Sequence, residues 1–160
     1  MNMEDKVRNK DMLVISALRH NSRQTLLQMS KSIRMPLSTI HDRIKGMEGG
    51  IVKKHTAIVD FGKLGYNTRA CLLLKVDKER KTELQEHLSK CSHVNSLAKV
   101  NNGHDFMVEV VFENIKEMED YLDSIDQKFS FKGKEVFYII DDIKREEFMS
   151  NPSNVRMGFK

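Results

Sequence analysis

Residues 94–112 read VNSLAKVNNGHDFMVEVVF, and this stretch decides the fold of the larger half of the chain. Two runs rich in β-branched and apolar residues, Val94–Val100 and Phe106–Phe112, flank Asn101-Asn102-Gly103. An Asn-Gly pair between such runs marks a hairpin, because both residues tolerate the left-handed backbone of a tight turn. Outward on either side, the period changes from two to about 3.6. Leu84 and Leu88 place a helix over Glu79–Lys90, with Lys81, Gln85 and Glu86 outside. Ile115, Met118, Leu122 and Ile125 place another over Ile115–Gln127. Outward again, Thr68–Val76 (TRACLLLKV) and Glu135–Ile143 (EVFYIIDDI) read as strands. The order β-α-β-β-α-β predicts a ferredoxin-like domain, four antiparallel strands with two helices on one face. The other face needs a cover, which a second copy of the chain would supply, so a homodimer is expected.

The first 60 residues carry a different pattern. Leu13 or Val14, Ala17 and Leu18 share one face of a helix over Asp11–His20, and Asn21-Ser22 stops it. Thr25 is a suitable N-cap for a second helix carrying Leu26, Met29 and Ile33. Pro36 pushes Met35 out of the helical region and ends that helix. A third helix begins at Leu37-Ser38, with Leu37, Ile40, Ile44 and Met47 as its apolar stripe and Gly46, Gly49 and Gly50 at its end. Its other face carries Ser38, Thr39, His41, Asp42, Arg43 and Lys45. Two short helices joined by a tight turn, the second polar and basic outside, are the parts of a helix-turn-helix. The residues suited to DNA contact are Arg23, Ser38, Thr39, His41, Arg43 and Lys45, with Arg43 foremost, and Arg23 on phosphate rather than bases. A three-helix bundle with a solvated charged face, and an Arg43 paired to Asp42 or Glu48, is the plainer alternative. Ile51–Asp60 is β-branched and partly alternating, which predicts a strand or wing hairpin whose Lys53 and Lys54 could touch phosphate.

Charge supports the division. Residues 1–60 hold 11 Lys+Arg against 6 Asp+Glu, a net of +5, and residues 61–160 hold 16 against 17, a net of −1. A basic module joined to a near-neutral one suits an anionic partner. With 39% apolar and 31% charged residues in 160, the chain can form one or two small cores. No apolar run approaches the ~20 residues of a membrane span, and the opening MNMEDKVRNKDM has no apolar signal region. Two cysteines, Cys71 and Cys91, make no disulfide framework, so a cytoplasmic location is expected. His87, Cys91 and His93 lack a zinc-site spacing, and GGIVKK lacks the layout of a phosphate-binding loop. No metal or cofactor is expected.

The order of these parts resembles the Lrp/AsnC (leucine-responsive, feast/famine) transcription regulators over roughly residues 7–145. RNKDMLVISALRHNSRQTLLQMSKSI matches that family's first two helices through Asp11, Leu18, Arg23, Leu27–Ser30 and Ile33. SIRMPLSTIHDRIKGME follows its reading-helix pattern through Ser38, Ile40, Arg43, Ile44, Met47 and Glu48, and GGIVKKHTAIVDFGKLGY follows its linker. The resemblance implies an α+β chain: a winged helix-turn-helix over 1–60, a hinge over 61–67, a ferredoxin-like (RAM-type) domain over 68–145 and a tail over 146–160. It further implies double-stranded DNA as partner, dimers assembling into tetramers or octamers, and an amino-acid effector near the loop joining the second and third strands. Here that loop carries Asn102, Gly103, His104 and Asp105, with Asn102 where the family favours glycine. Sirohaem decarboxylases share the two-domain layout and are the competing enzyme reading. They need His and Arg to hold tetrapyrrole carboxylates, whereas the second domain offers Arg69, Arg80, Arg145 and Arg156 and the basic excess lies in the first. A non-enzymatic regulator is therefore expected. Asn151-Pro152-Ser153-Asn154 suggests a disordered or loosely docked end.

Overall fold

The computed structural model describes residues 3–156, with side chains for residues 9–155. The chain divides into two compact units: residues 58–142, and residues up to 57 together with those from 143 onward.

The helical unit contains α1 (Met3–His20), α2 (Leu26–Ile33), α3 (Leu37–Met47) and, from the other end of the chain, α6 (Pro152–Arg156). Its core is small and rich in methionine: Val14, Ala17, Met29, Ile33, Met35, Ile40 and Met47 are buried, and Ile15, Leu18, Leu26, Ile44 and Val52 pack against them. Flexible thioethers fill the irregular gaps between three short helices.

The sheet unit follows the β-α-β-β-α-β order. Strands β1 (Thr68–Lys75), β2 (Val94–Lys99), β3 (Phe106–Phe112) and β4 (Gly133–Tyr138) form an antiparallel sheet in the order β2-β3-β1-β4. Helices α4 (Lys81–Lys90) and α5 (Ile115–Phe129) cover one face. Along β1, Thr68, Ala70, Leu72 and Leu74 are buried while Arg69, Cys71 and Leu73 are only partly so, the period-two alternation of a sheet covered on one side. Register carries this across the sheet. Leu72 faces Val108 on one neighbour and Val136 on the other, under Leu84, Leu88, Met118 and Leu122. Each such fully buried side chain contributes roughly 1.5–3 kcal/mol. Opposite the helices, Cys71, Leu73, Met107 and Phe137 share the uncovered face, with Met107 42% and Phe137 51% exposed.

Several expectations need correction. Ile51–Asp60 forms no strand: Val52 bridges back to Glu48, and residues 53–60 are exposed coil. A strand needs a neighbour for its ladder of hydrogen bonds, and residues 53–60 have none among the described residues. The fourth strand starts at Gly133 and ends at Tyr138, rather than spanning Glu135–Ile143. Ile139 donates once more to the Arg69 carbonyl (2.9 Å), and the chain then leaves β1, with Ile140 and Ile143 almost fully exposed. The first helix begins at Met3, well before Asp11. Leu37 is 43% exposed and stands off the apolar stripe of α3. Gly46 lies inside that helix, and Gly49, at φ +73°, supplies the left-handed turn after it. The 151–154 stretch is not loose: Pro152, Ser153 and Asn154 belong to α6, in which Val155 is 4% exposed.

Candidate functional site

The geometry of α3 is set by the turn before it. Thr25 caps α2 reciprocally with Gln28: the Gln28 N–H donates to the Thr25 hydroxyl oxygen (3.2 Å), and the Thr25 N–H donates to Oε1 of Gln28 (2.8 Å). At the other end Arg34 takes the left-handed conformation (φ 55°), and the Met35 N–H and the Ser30 hydroxyl close the turn at 3.2 and 2.7 Å. Met35, 7% exposed, anchors the turn in the core. Pro36 then presets the backbone for α3 without spending an N–H. The start of α3 has no side-chain cap, so its first-turn N–H groups, which have no partner within the helix, point off its end.

The residues singled out for DNA contact fall into two groups. Ser38, His41 and Lys45 are exposed on α3, Thr39 is half-buried beside them, and Arg23 is exposed before α2. His41 lies 3.4 Å from Asp42 on the same helix. Arg43 faces the other way. Its guanidinium is paired with Asp11 of α1, and the two side chains are 19% and 28% exposed. It thus bridges the first and third helices. Leu37, assigned to the core from its spacing, joins the exposed residues at the start of α3. Its position next to proline was the available signal, since a first-turn side chain lies before the helix–helix contact begins.

The loop between β2 and β3 is equally divided. Asn102 (φ 60°) and Gly103 (φ 94°) form the left-handed tip of the hairpin and are exposed. His104 lies 3.3 Å from Glu135. The Asp105 carboxylate is engaged within the unit. It accepts from the Val76 N–H at 3.1 Å and pairs with the Lys81 ammonium at 2.5 Å. Burial pushes this carboxyl up, but the hydrogen bonds from Lys81 and Val76 and the charges of Lys81 and Lys75 more than reverse that, leaving it below the usual aspartate value.

At the opposite end of these strands is a cleft of about 240 Å³ lined by Phe61, Tyr66, His93, Asn95 and Val111, which the sequence did not announce. His93 stacks on Phe112 (4.2 Å between centroids), and its Nδ1 lies 3.0 Å from the Val111 carbonyl, so Nδ1 carries the proton.

On the uncovered sheet face, Arg69 donates to Glu109 (2.8 Å) and Asp142 (2.6 Å), and Asn95 and Ser96 donate to the other oxygen of Glu109. The Asp142 hydrogen bond leads the effects that hold the Arg69 guanidinium above its ordinary value, against burial. Arg80 stacks on Phe129 (5.4 Å) and donates to the Lys128 carbonyl. These two arginines are engaged in separate places, and the Arg156 side chain lies outside the described residues. Among the described residues, no three His, Cys, Asp or Glu side chains converge as a metal site. No described helix is long and apolar enough to cross a membrane.

Comparison with known proteins places this architecture. The sequence pattern of the Lrp/AsnC ligand binding domain matches residues 69–147. The HTH-type transcriptional regulator FL11 of Pyrococcus horikoshii is 32% identical over 116 residues, 72% of this chain and 77% of that protein. FL11 of Pyrococcus furiosus is 29% identical over 131 residues, 81% and 87% of the two chains. Among solved structures, AsnC of E. coli superposes with a TM-score of 0.72 at 17% identity, over 84% of this chain and 93% of that one. A Neisseria meningitidis transcriptional regulator, solved as a complex with L-Met, superposes with a TM-score of 0.77 at 16% identity, over 84% and 90%. The helix-turn-helix, the βαββαβ sheet unit and the regulators that share them identify the chain as a member of the Lrp/AsnC family of transcriptional regulators.

Proposed function

We propose that the chain reads double-stranded DNA in the cytoplasm as a homodimer, with the exposed start of α3 as its reading surface and no catalytic step of its own. The observation that carries this is the two-sided construction of α3. Ile40, Ile44 and Met47 hold it to the core, and Arg43 is tied to Asp11, while Leu37, Ser38, Thr39, His41 and Lys45 stay toward solvent or half-buried beside it. Small hydroxyl residues at a helix start reach base edges, an apolar side chain such as Leu37 meets a thymine methyl, and uncapped N–H groups donate to a phosphate. Lys45, Arg23 and the exposed Lys53 and Lys54 add phosphate contacts, which make affinity salt-dependent.

The uncovered sheet face supports the dimer. Leu73, Met107 and Phe137 form an apolar strip beside the Arg69–Glu109–Asp142 ion cluster, and a second copy of the same face covers it. Two heads on one dimer then meet half-sites about 34–36 Å apart. Further assembly into tetramers or octamers would bring the hairpin tips of neighbouring dimers together. Asn102, Gly103 and His104 there form the seat for an amino-acid effector, a reading supported by the L-Met bound to the Neisseria regulator. Asp105 supports that seat from behind through Lys81 and Val76.

Selection of bound fragments from genomic DNA, with and without L-Met and other amino acids, tests this. The expected result is a recurring two-part motif whose occupancy shifts with at least one amino acid. Recovery of unrelated sequences at every salt concentration would contradict it.

A further inference from the structure

The last strand ends at Tyr138, and the chain then runs back to the helical unit. Among the described residues after 142, α6 packs against α1, and its Val155 is buried. Arg19, in the last turn of α1, holds this arm. Its Nε donates to the Phe148 carbonyl (2.6 Å), and its Nη2 donates to the Glu146 carbonyl (3.0 Å) and carboxylate (2.9 Å). One guanidinium therefore takes three acceptors from two residues of the arm. Glu146, within this clasp, and Met149, directly after it, sit at φ +53° and +61°. Side chains other than glycine rarely adopt that region, and they stay there where surrounding contacts outweigh the cost. Two such residues within four mark a built conformation rather than a trailing end. The match to the ligand binding domain stops at residue 147, so α6 lies beyond it.

The consequence is topological. The helical unit is joined to the sheet unit by chain at both of its ends, before β1 and after β4. A body held by two chain segments samples fewer orientations than one held by a single linker. We infer that the C-terminal arm is a strap that pre-organises the reading head, with Arg19 as its positioning residue. Arg19 makes no DNA contact in this scheme. It narrows the orientations from which the two heads of a dimer meet two half-sites. Avidity depends on both heads engaging at once, so the strap acts on two-site binding and leaves one-site binding alone.

This inference rests on the DNA-reading proposal above. Its test uses full-length Arg19→Ala, Arg19→Lys and, as an independent way to undock α6, Val155→Asp. Each is titrated on a duplex with two selected half-sites and on one with a single half-site. Arg19→Ala and Val155→Asp are expected to bind the two-site duplex about tenfold more weakly and the one-site duplex within about twofold of the parent. Arg19→Lys should recover part of the loss, since an ammonium offers fewer fixed donors. Trypsin should also cut after Lys144 or Arg145 faster in Arg19→Ala. Equal losses on both duplexes would overturn the strap, because the arm would then support only the fold of the head. Unchanged or tighter two-site binding would overturn it as well. A parent that binds neither duplex above random DNA removes the DNA-reading proposal itself, a failure visible before any variant is compared.

Discussion

The Arg43 guanidinium of α3 is paired with the Asp11 carboxylate of α1, inside the helical unit and largely out of solvent. The arginine of α3 that is the first choice for DNA contact on sequence grounds thereby ties two helices together. Breaking a partly buried pair leaves one charge without its partner, which costs more than the pair contributes.

Arg43→Ala should therefore lower the stability of the helical unit by about 1–3 kcal/mol in thermal or denaturant unfolding. The Asp11→Ala/Arg43→Ala double variant should cost less than the sum of the two single changes. Lys45→Ala, on the exposed face, should leave stability within about 0.5 kcal/mol and reduce the salt slope of DNA binding by about one. The opposite pattern, a stable Arg43→Ala with a reduced salt slope, would return Arg43 to the DNA.

Ser16 is fully buried in α1, and its hydroxyl has no hydrogen-bond partner among the described residues. Ser16→Ala removes a desolvated polar group and substitutes a better helix former. Stability should rise by about 1 kcal/mol. A fall would mean that the hydroxyl is satisfied in solution.

Asp105 gives the sheet unit a defined acid response. Its folded carboxyl lies below the ordinary value of 3.8, so its contribution is present above that pH and is lost as pH falls through the folded value. Asp105→Asn should be less stable than the parent at neutral pH, and the gap should close below pH 3.8. A gap that stays constant into strong acid would show that the carboxylate is not held by Lys81.

These three residues show where sequence reading reaches and where it stops. The βαββαβ order was legible because Asn102-Gly103, the Leu84/Leu88 spacing and the Met118/Leu122/Ile125 stripe are local patterns that agree with the global fold. Strand length was less so. Nothing in EVFYIIDDI says that β1 stops offering partners after Arg69, which leaves Ile140 and Ile143 outside the sheet. The segment 51–60 misled for the same reason, since β-branched residues favour a strand only when a neighbour exists. The exposure of Ser38 and Lys45 followed from helical phase. The inward turn of Arg43 did not, because Asp11 is a partner 32 residues away. The arm was illegible for a similar reason: Arg19 and Phe148 meet across 129 residues of sequence.

Leu73 stands on the uncovered sheet face between Glu135 and Met107. Leu73→Asp places a charge where a second copy would pack, and should shift the chain from dimer to monomer in sedimentation at micromolar concentration while leaving the helix-covered core intact. An unchanged dimer would place the interface elsewhere.

The most direct measurement is the ratio of affinities for a selected site and for random DNA, taken for the parent and for a Ser38→Ala/Thr39→Ala variant at one salt concentration. If the start of α3 reads sequence, the variant should lose about 1–3 kcal/mol of affinity for the selected site while its affinity for random DNA stays level. An unchanged ratio would contradict the account, because base reading would then lie outside the start of α3.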